Sequence, residues 1–270
     1  MMKFDNSLCV GVEQSALALG LMIPQRIDFD RAPHLLIAAP SGSGKTYLLT
    51  YLLGQLAQKP GTLLLADFKG IDFLALDGCQ HYYKHTAVEN ALQSAFDTMQ
   101  ERMADPQPDA EPIYFVIDEW AGFLSLHPKK EQEDYKQKMA SILMLGRGVQ
   151  VFVIMALQRA DAAYISGRDN FGNCIGLGTL SKESVRMLFP DNADSIQPKP
   201  RGRGYLHIDG KGLSEIVVPR LRDREATMQV VRQKLSNGGL KSINIQFDKY
   251  FQFLAKDALC PLPWAALRFP

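Results

Sequence analysis

A phosphate-binding loop (P-loop), Ala39-Pro-Ser-Gly-Ser-Gly-Lys45-Thr46, lies between a short apolar run and a segment with helical periodicity. Glycines at positions 42 and 44 let backbone N–H groups curl around phosphates, while the Lys45 ammonium reaches the β and γ oxygens. The Thr46 hydroxyl is a ligand for Mg²⁺. We therefore predict that this loop binds ATP and Mg²⁺. The predicted nucleotide-binding residues are Ser41, Gly42, Ser43, Gly44, Lys45, Thr46 and Tyr47.

Strands and helices alternate around this loop. Apolar runs at 34–39, 62–66, 113–117 and 149–157 have the length of buried strands. Segments 46–58, 88–104 and 135–145 have apolar residues at helical spacing. In the second segment, the apolar positions between Val88 and Met103 should face the sheet. Further strands are predicted at 8–12, 26–29, 174–179, 205–208 and 215–218, with a short helix at 181–189. The alternation predicts an α/β fold with a mainly parallel central sheet flanked by helices.

Polar side chains follow two of the buried strands. Asp118 and Glu119 come at the end of the strand that begins at Ile113, so they should emerge at the carboxyl edge of the sheet, where the phosphates sit. We expect Asp118 to hold the Mg²⁺ shell and Glu119 to polarise the attacking water. Gln158 follows the next strand; it is either an ordinary strand cap or an amide that senses the γ-phosphate, and the P-loop favours the second interpretation.

Several motifs together resemble the motor domain of FtsK/SpoIIIE DNA translocases, within a wider set that includes HerA-type motors and type IV coupling proteins. They are Ala32-Pro33-His34 before the P-loop, Ala66-Asp67-Phe68-Lys69-Gly70, Asp118-Glu119, and Ala156-Leu157-Gln158-Arg159. Segments 168–173 and 180–186 are similar to FtsK-like proteins of Gram-positive mobile elements. The resemblance covers about residues 8–220. It departs from the family at Cys174, where the family usually has an arginine.

The resemblance implies a RecA-like P-loop NTPase that hydrolyses ATP and moves double-stranded DNA through a ring of identical subunits, expected to be a hexamer. The expected organisation is a β-rich lead-in at 1–30, a motor domain at 31–224, and a C-terminal helix with an aromatic tail at 225–270. Two alternatives stay open. The first is a coupling-type ATPase for conjugative transfer or secretion; the second is a nucleotide-dependent regulatory module with little turnover.

Composition limits the class of protein and the cellular location that we expect. The chain has 270 residues, 46% of them hydrophobic, which is typical of a soluble folded protein. Its 30 basic and 29 acidic side chains exclude a surface that is basic all over, so a DNA contact requires a local patch. Four scattered cysteines suggest neither a zinc site nor a disulfide framework, and no apolar run has the length of a membrane span. We therefore expect a cytoplasmic protein with no membrane span of its own that works with a membrane or transfer-machine partner.

Arginines could complete the site from a neighbouring subunit, because no arginine is apparent beside the P-loop in the same chain. Arg186 is the first candidate, followed by Arg168 and Arg147; the alternative for each is a solvated surface charge. Segment 199–224 carries seven basic residues against three acidic ones, and is either a DNA contact at Arg201-Gly-Arg-Gly204 or an exposed charged hairpin. The aromatic residues of 240–270 should be buried against this domain, a neighbouring subunit or a partner.

Overall fold

A ten-stranded sheet forms the centre of the computed structural model, which describes residues 4–236. The strands are β1 (Ser7–Glu13), β2 (Pro24–Asp28), β3 (Leu35–Ala38), β4 (Thr62–Asp67), β5 (Tyr82–Lys84), β6 (Ile113–Asp118), β7 (Val151–Leu157), β8 (Asn173–Leu177), β9 (Arg203–Ile208) and β10 (Gly212–Val217). The helices are α1 (Gln14–Ala18), α2 (Lys45–Leu56), α3 (Val88–Ala104), α4 (Trp120–Ser125), α5 (Lys129–Leu145), α6 (Lys182–Leu188) and α7 (Arg224–Ser236).

The strand order is β2-β1-β10-β9-β8-β3-β7-β6-β4-β5. The six strands from β8 to β5 in this order are parallel to one another, which confirms the predicted α/β fold with a mainly parallel sheet. The remaining pairs are antiparallel: β1 with β2, β1 with β10, β9 with β10 and β8 with β9. Strands β9 and β10 are joined by a short turn, a connection that only antiparallel strands allow.

Both faces of the sheet are covered by helices, which explains why the central strands are apolar except at some of their ends. In β3, Leu35 and Ile37 belong to one core, together with α2 and α7. Leu36 and Ala38 belong to the other core, together with α3, α4, α5 and α6. Successive strand side chains point to opposite faces, so each central strand has to supply apolar groups to both layers.

The carboxyl ends of the parallel strands share one edge of the sheet, and the site lies there. The P-loop leaves β3, which is hydrogen-bonded between β7 and β8. On the far side of β7, strand β6 ends in Asp118, directly opposite Asp67 at the end of β4. The polar residues that follow four different strands therefore meet around the P-loop.

Some local predictions differ from the structure. Met103 is 45% exposed, because the 17-residue α3 is about 25 Å long and extends past strands of about 20 Å. The strand predicted from 149 begins at Val151, because residues 146–149 form a helical turn and Gln150 has a φ of 59°. The short elements α1, α4 and β5 were not predicted, since three to six residues carry little periodicity.

The division of the chain into a lead-in, a motor domain and a C-terminal part remains a prediction. The described residues of the first and last parts pack against the middle one. Strands β1 and β2 of the lead-in extend the same sheet through β10. Helix α7 packs on α2, where a Cβ at Gly54 would lie 2.6 Å from the Thr227 methyl carbon. The aromatic tail at 240–270 lies outside the described residues. Between residues 4 and 236, no helix combines the length and apolar character needed to cross a bilayer.

Candidate nucleotide site

The P-loop has a backbone that only glycine adopts without strain. Gly42 and Gly44 have φ values of 82° and 104°, in the left-handed region. The loop is closed by a hydrogen bond from the Ser43 N–H to the Pro40 carbonyl, 3.0 Å long. A second 3.0 Å bond runs from the Gly202 N–H to the Ser43 carbonyl, so the segment before β9 supports the loop from outside. Such a curled loop at the start of a helix presents backbone N–H groups to an anion.

Lys45, Asp118 and Glu119 form a buried charge cluster beside this loop. Lys45 is the first residue of α2, and its Nζ contacts Asp118 Oδ1 and lies 3.1 Å from Glu119 Oε1. Burial by itself would lower the pKa of Lys45, but the charges of Asp118 and Glu119 outweigh burial and raise that pKa above its usual value. The lysine that was predicted to bind phosphate is therefore kept in its charged form by two carboxylates, and both were predicted to lie near the P-loop.

Asp118 has the environment of a metal ligand. Its side chain is fully buried, and burial raises its pKa to about 6, with Lys45 acting in the opposite direction. Within the described residues, no donor hydrogen-bonds to the buried Oδ2 atom. A buried carboxylate oxygen that lacks a protein partner fits a Mg²⁺ ion bound through oxygen ligands, and Thr46, the residue after Lys45 on α2, offers a hydroxyl as a second such ligand.

Glu119 is presented on a sharp turn between β6 and α4. It has a φ of 63°, unusual for a residue with a side chain, and its N–H donates to the Ala156 carbonyl at 2.9 Å. Such a backbone costs about 1 kcal/mol or more and is found at functional sites. The second carboxylate oxygen, Oε2, lies 3.2 Å from the Nζ of Lys69. The sequence motif that contains Lys69 contributes to the family resemblance, but the sequence alone does not indicate a role for this lysine.

Gln158 and Glu119 line the same cavity. Its volume is about 290 Å³, and its other lining residues are Ala121, Arg159, Asp161 and Tyr164. Gln158 is exposed at the end of β7, where it can reach into the cavity. The structure therefore brings together the two residues that were predicted to contact water and the γ-phosphate. Their roles remain predictions.

The three candidate arginines lie in different surroundings. Arg186 is exposed on α6. Arg168 instead caps the end of α6, with its Nε donating to the Met187 carbonyl at 2.6 Å. Arg147 and Arg168 precede β7 and β8, so their backbones lie at the amino edge of the sheet, away from the P-loop of their own chain. Cys174, where the family usually has an arginine, is buried in β8, and burial raises the pKa of its thiol to about 12.

Arg201 of the basic segment lies against the P-loop of its own chain. The predicted DNA contact of this segment stays a prediction. The Cγ atom of Arg201 would be 3.9 Å from a Cβ placed on Gly44, next to the Gly202 bond to the loop. Lys199 of the same basic segment pairs with Glu215 at 2.7 Å and lies over the Tyr205 ring. The sequence could not show this arrangement, because the segment reaches the P-loop only through the pairing of β9 with β8.

Comparison with known proteins identifies relatives, although no protein-family profile matches the chain. It is 27% identical over 210 residues to the FtsK domain-containing protein YdcQ of Bacillus subtilis, covering 71% of this chain and 44% of that protein. It is 28% identical over 234 residues to the ESX secretion system protein EccC of Thermomonospora curvata, covering 73% and 17%. With the DNA translocase FtsK of Pasteurella multocida it is 23% identical over 259 residues, covering 75% and 27%. The chain is a homologue of FtsK-domain proteins. It spans less than half the length of these relatives.

Solved structures share the fold of this FtsK-like chain. The conjugation coupling protein TcpA of pCW3, solved with ATPγS, superposes with a TM-score of 0.68 at 18% identity, covering 86% of this chain and 72% of TcpA. The cytoplasmic domain of the type VII secretion ATPase EccC from Thermomonospora curvata gives a TM-score of 0.65 at 23% identity, covering 89% and 32%. The predicted fold class and family resemblance are confirmed. The predicted enzyme class, an ATPase, agrees with these comparisons.

Proposed function

We propose that this FtsK-like chain hydrolyses ATP and uses the energy to move double-stranded DNA through a ring of identical subunits. The observation that carries the proposal is the cluster of Lys45, Asp118 and Glu119 beside the P-loop. It combines a phosphate-binding lysine, a carboxylate suited to Mg²⁺ and a carboxylate suited to water activation in one place. The DNA part of the proposal rests on the FtsK relatives.

In this mechanism the P-loop amides and the Lys45 ammonium bind the β- and γ-phosphates. The Thr46 hydroxyl and Asp118 Oδ2 would hold Mg²⁺, which would neutralise charge on the phosphate oxygens. Glu119 accepts a proton from the water whose oxygen attacks the γ-phosphorus, while the bond from that phosphorus to the β–γ bridging oxygen breaks. The amide of Gln158 donates to a γ-phosphate oxygen from the other side of the cavity.

A ring, proposed as a hexamer, places an arginine of one subunit near the phosphates of the next. Arg186 suits this role best among the three candidates, because it is exposed on α6 while Arg168 is engaged with two carbonyl groups of its own chain. A trans-acting arginine typically accelerates hydrolysis by roughly 10³ to 10⁵. This role for Arg186 predicts that turnover depends on subunit concentration.

A second candidate function is transfer of a DNA strand or a protein to a secretion machine. The ESX secretion relatives favour it, because their identity to this chain is similar to that of the FtsK-domain relative. The ATPase site is the same in both proposals, so only the substrate distinguishes them.

The deciding measurement is ATP turnover by the purified chain with double-stranded DNA, with single-stranded DNA and without DNA, each at several protein concentrations. The Glu119→Gln variant serves as the control for contaminating ATPases. Stimulation mainly by double-stranded DNA supports translocation, and stimulation mainly by single strands supports transfer. If neither type of DNA changes the turnover, both translocation of double-stranded DNA and transfer of a DNA strand are refuted. Turnover no greater than that of Glu119→Gln supports a regulatory module.

A further inference from the structure

The motif Ala66-Asp67-Phe68-Lys69-Gly70 lies next to the proposed catalytic carboxylates. Asp67 ends β4 directly opposite Asp118 in the adjacent β6. Its side chain is fully buried, and both carboxylate oxygens accept hydrogen bonds from the protein: the Tyr82 hydroxyl donates at 2.9 Å and the Gly70 N–H at 3.0 Å. Asp67 therefore serves to shape the turn that follows it.

This turn holds the backbone of Lys69 from both sides. Gly70 has a φ of 66°, and a Cβ there would lie 2.6 Å from the ring of His85. The Nδ1 atom of the same ring is 3.1 Å from the Phe68 carbonyl oxygen. On the other side the Phe68 ring packs so closely on α4 that a Cβ at Gly122 would lie 2.9 Å from it. The side chain of Lys69 thus starts from a fixed backbone, so an ion pair restricts only the side chain's own rotamers and no further backbone freedom.

The ammonium of Lys69 lies 3.2 Å from Glu119 Oε2, while Lys45 lies 3.1 Å from Oε1. The carboxylate of Glu119 is held between two cations on different elements. When ATP binds, its phosphates compete for Lys45. Lys69 is then the cation that continues to orient Glu119.

We propose that Lys69 is a positioning residue for hydrolysis: it holds the Glu119 carboxylate in the orientation that accepts the proton of the attacking water. This inference rests on the proposed ATPase function. Lys69 contacts neither nucleotide nor water in this role and acts only through Glu119. Most ion pairs at a surface contribute little, but Glu119 is 11% exposed in its side chain and Lys69 33%, so solvent screens the pair only partly.

The test compares Lys69→Met with Lys69→Arg, and uses Lys84→Met as the matched control. Lys84 lies on the neighbouring β5, and its side chain is 32% exposed, close to the value for Lys69. Its Nζ forms an ion pair with Asp77 Oδ1 at 2.6 Å. We expect Lys69→Met to lower kcat about 10-fold at unchanged Kd for ATP, because the partly buried ion pair that orients Glu119 is lost. Lys69→Arg should recover most of the rate, and Lys84→Met should match the wild type. Urea midpoints establish that the variants are folded.

The split between kcat and Kd for ATP, together with recovery in Lys69→Arg, separates positioning from a general effect on the fold. Unchanged or increased kcat in Lys69→Met, a loss shared by Lys84→Met, an equal loss of ATP binding, or no recovery in Lys69→Arg would overturn the proposal. Wild-type turnover equal to that of Glu119→Gln would instead refute the ATPase function, and this inference with it, before any lysine variant is considered.

Discussion

Replacing Lys45 by methionine should abolish ATP binding and also destabilise the fold. Lys45 is the cation in contact with Asp118, whose side chain is fully buried. In Lys45→Met the apolar stem is kept and the charge is lost, so Asp118 becomes a buried anion without a countercharge. Glu119 is affected less, because it keeps its ion pair with Lys69.

The expected loss is about 3 kcal/mol or more at neutral pH, since removing one partner of a buried ion pair costs roughly 3–5 kcal/mol. The loss should depend on pH. Burial raises the pKa of Asp118 to about 6 even though Lys45 opposes this shift, so without Lys45 the pKa rises further. The folded state then takes up a proton where the unfolded state does not, and stability decreases as pH rises. The variant should be nearly as stable as the wild type at about pH 5 and least stable, relative to it, at about pH 8.

Urea denaturation of the wild type, Lys45→Met and Lys45→Met/Asp118→Asn, without nucleotide and at both pH values, measures this effect. The double variant should regain most of the stability lost at the higher pH, because a neutral amide replaces the anion. A Lys45→Met variant that is as stable as the wild type at pH 8, or equally destabilised at both pH values, would show that the ion pair does not stabilise the fold as argued here.

The other predictions concern the same site and the core beneath it. Glu119→Gln should retain the Kd for ATP and lose turnover, whereas Asp118→Asn should raise the Mg²⁺ concentration needed for turnover; equal losses of ATP binding in both would contradict the two roles. Arg186→Ala should bind ATP and turn over poorly, and mixing it with Glu119→Gln subunits should restore activity, unless hydrolysis is completed within one subunit. Burial lowers the pKa of His34 to about 4, so the unfolded chain binds a proton that the folded chain does not. Stability should fall by about 3 kcal/mol between pH 6.5 and 4, and His34→Gln should flatten this part of the urea-midpoint profile.

The sequence determined the parts of this site that depend on local pattern. A glycine-rich loop between a buried strand and a largely buried apolar helix specifies its own backbone, because Gly42 and Gly44 adopt φ values that other residues avoid. The acidic pair at 118 and 119 is predictable for a similar reason, since polar residues that end an apolar strand must emerge at the sheet edge. The nearness of these motifs to one another followed from the general rule that parallel strands end on one side.

Only the tertiary structure decided which residues complete the site. Lys69 reaches Glu119 because β4 lies beside β6, and Arg201 reaches the P-loop because β9 lies beside β8. Apolar periodicity specifies that a strand is buried, but it does not specify its neighbour, because many strand orders bury the same apolar area. The strand order is selected by the packing of the whole sheet against its two layers of helices, and contacts between residues far apart in the chain depend on that selection.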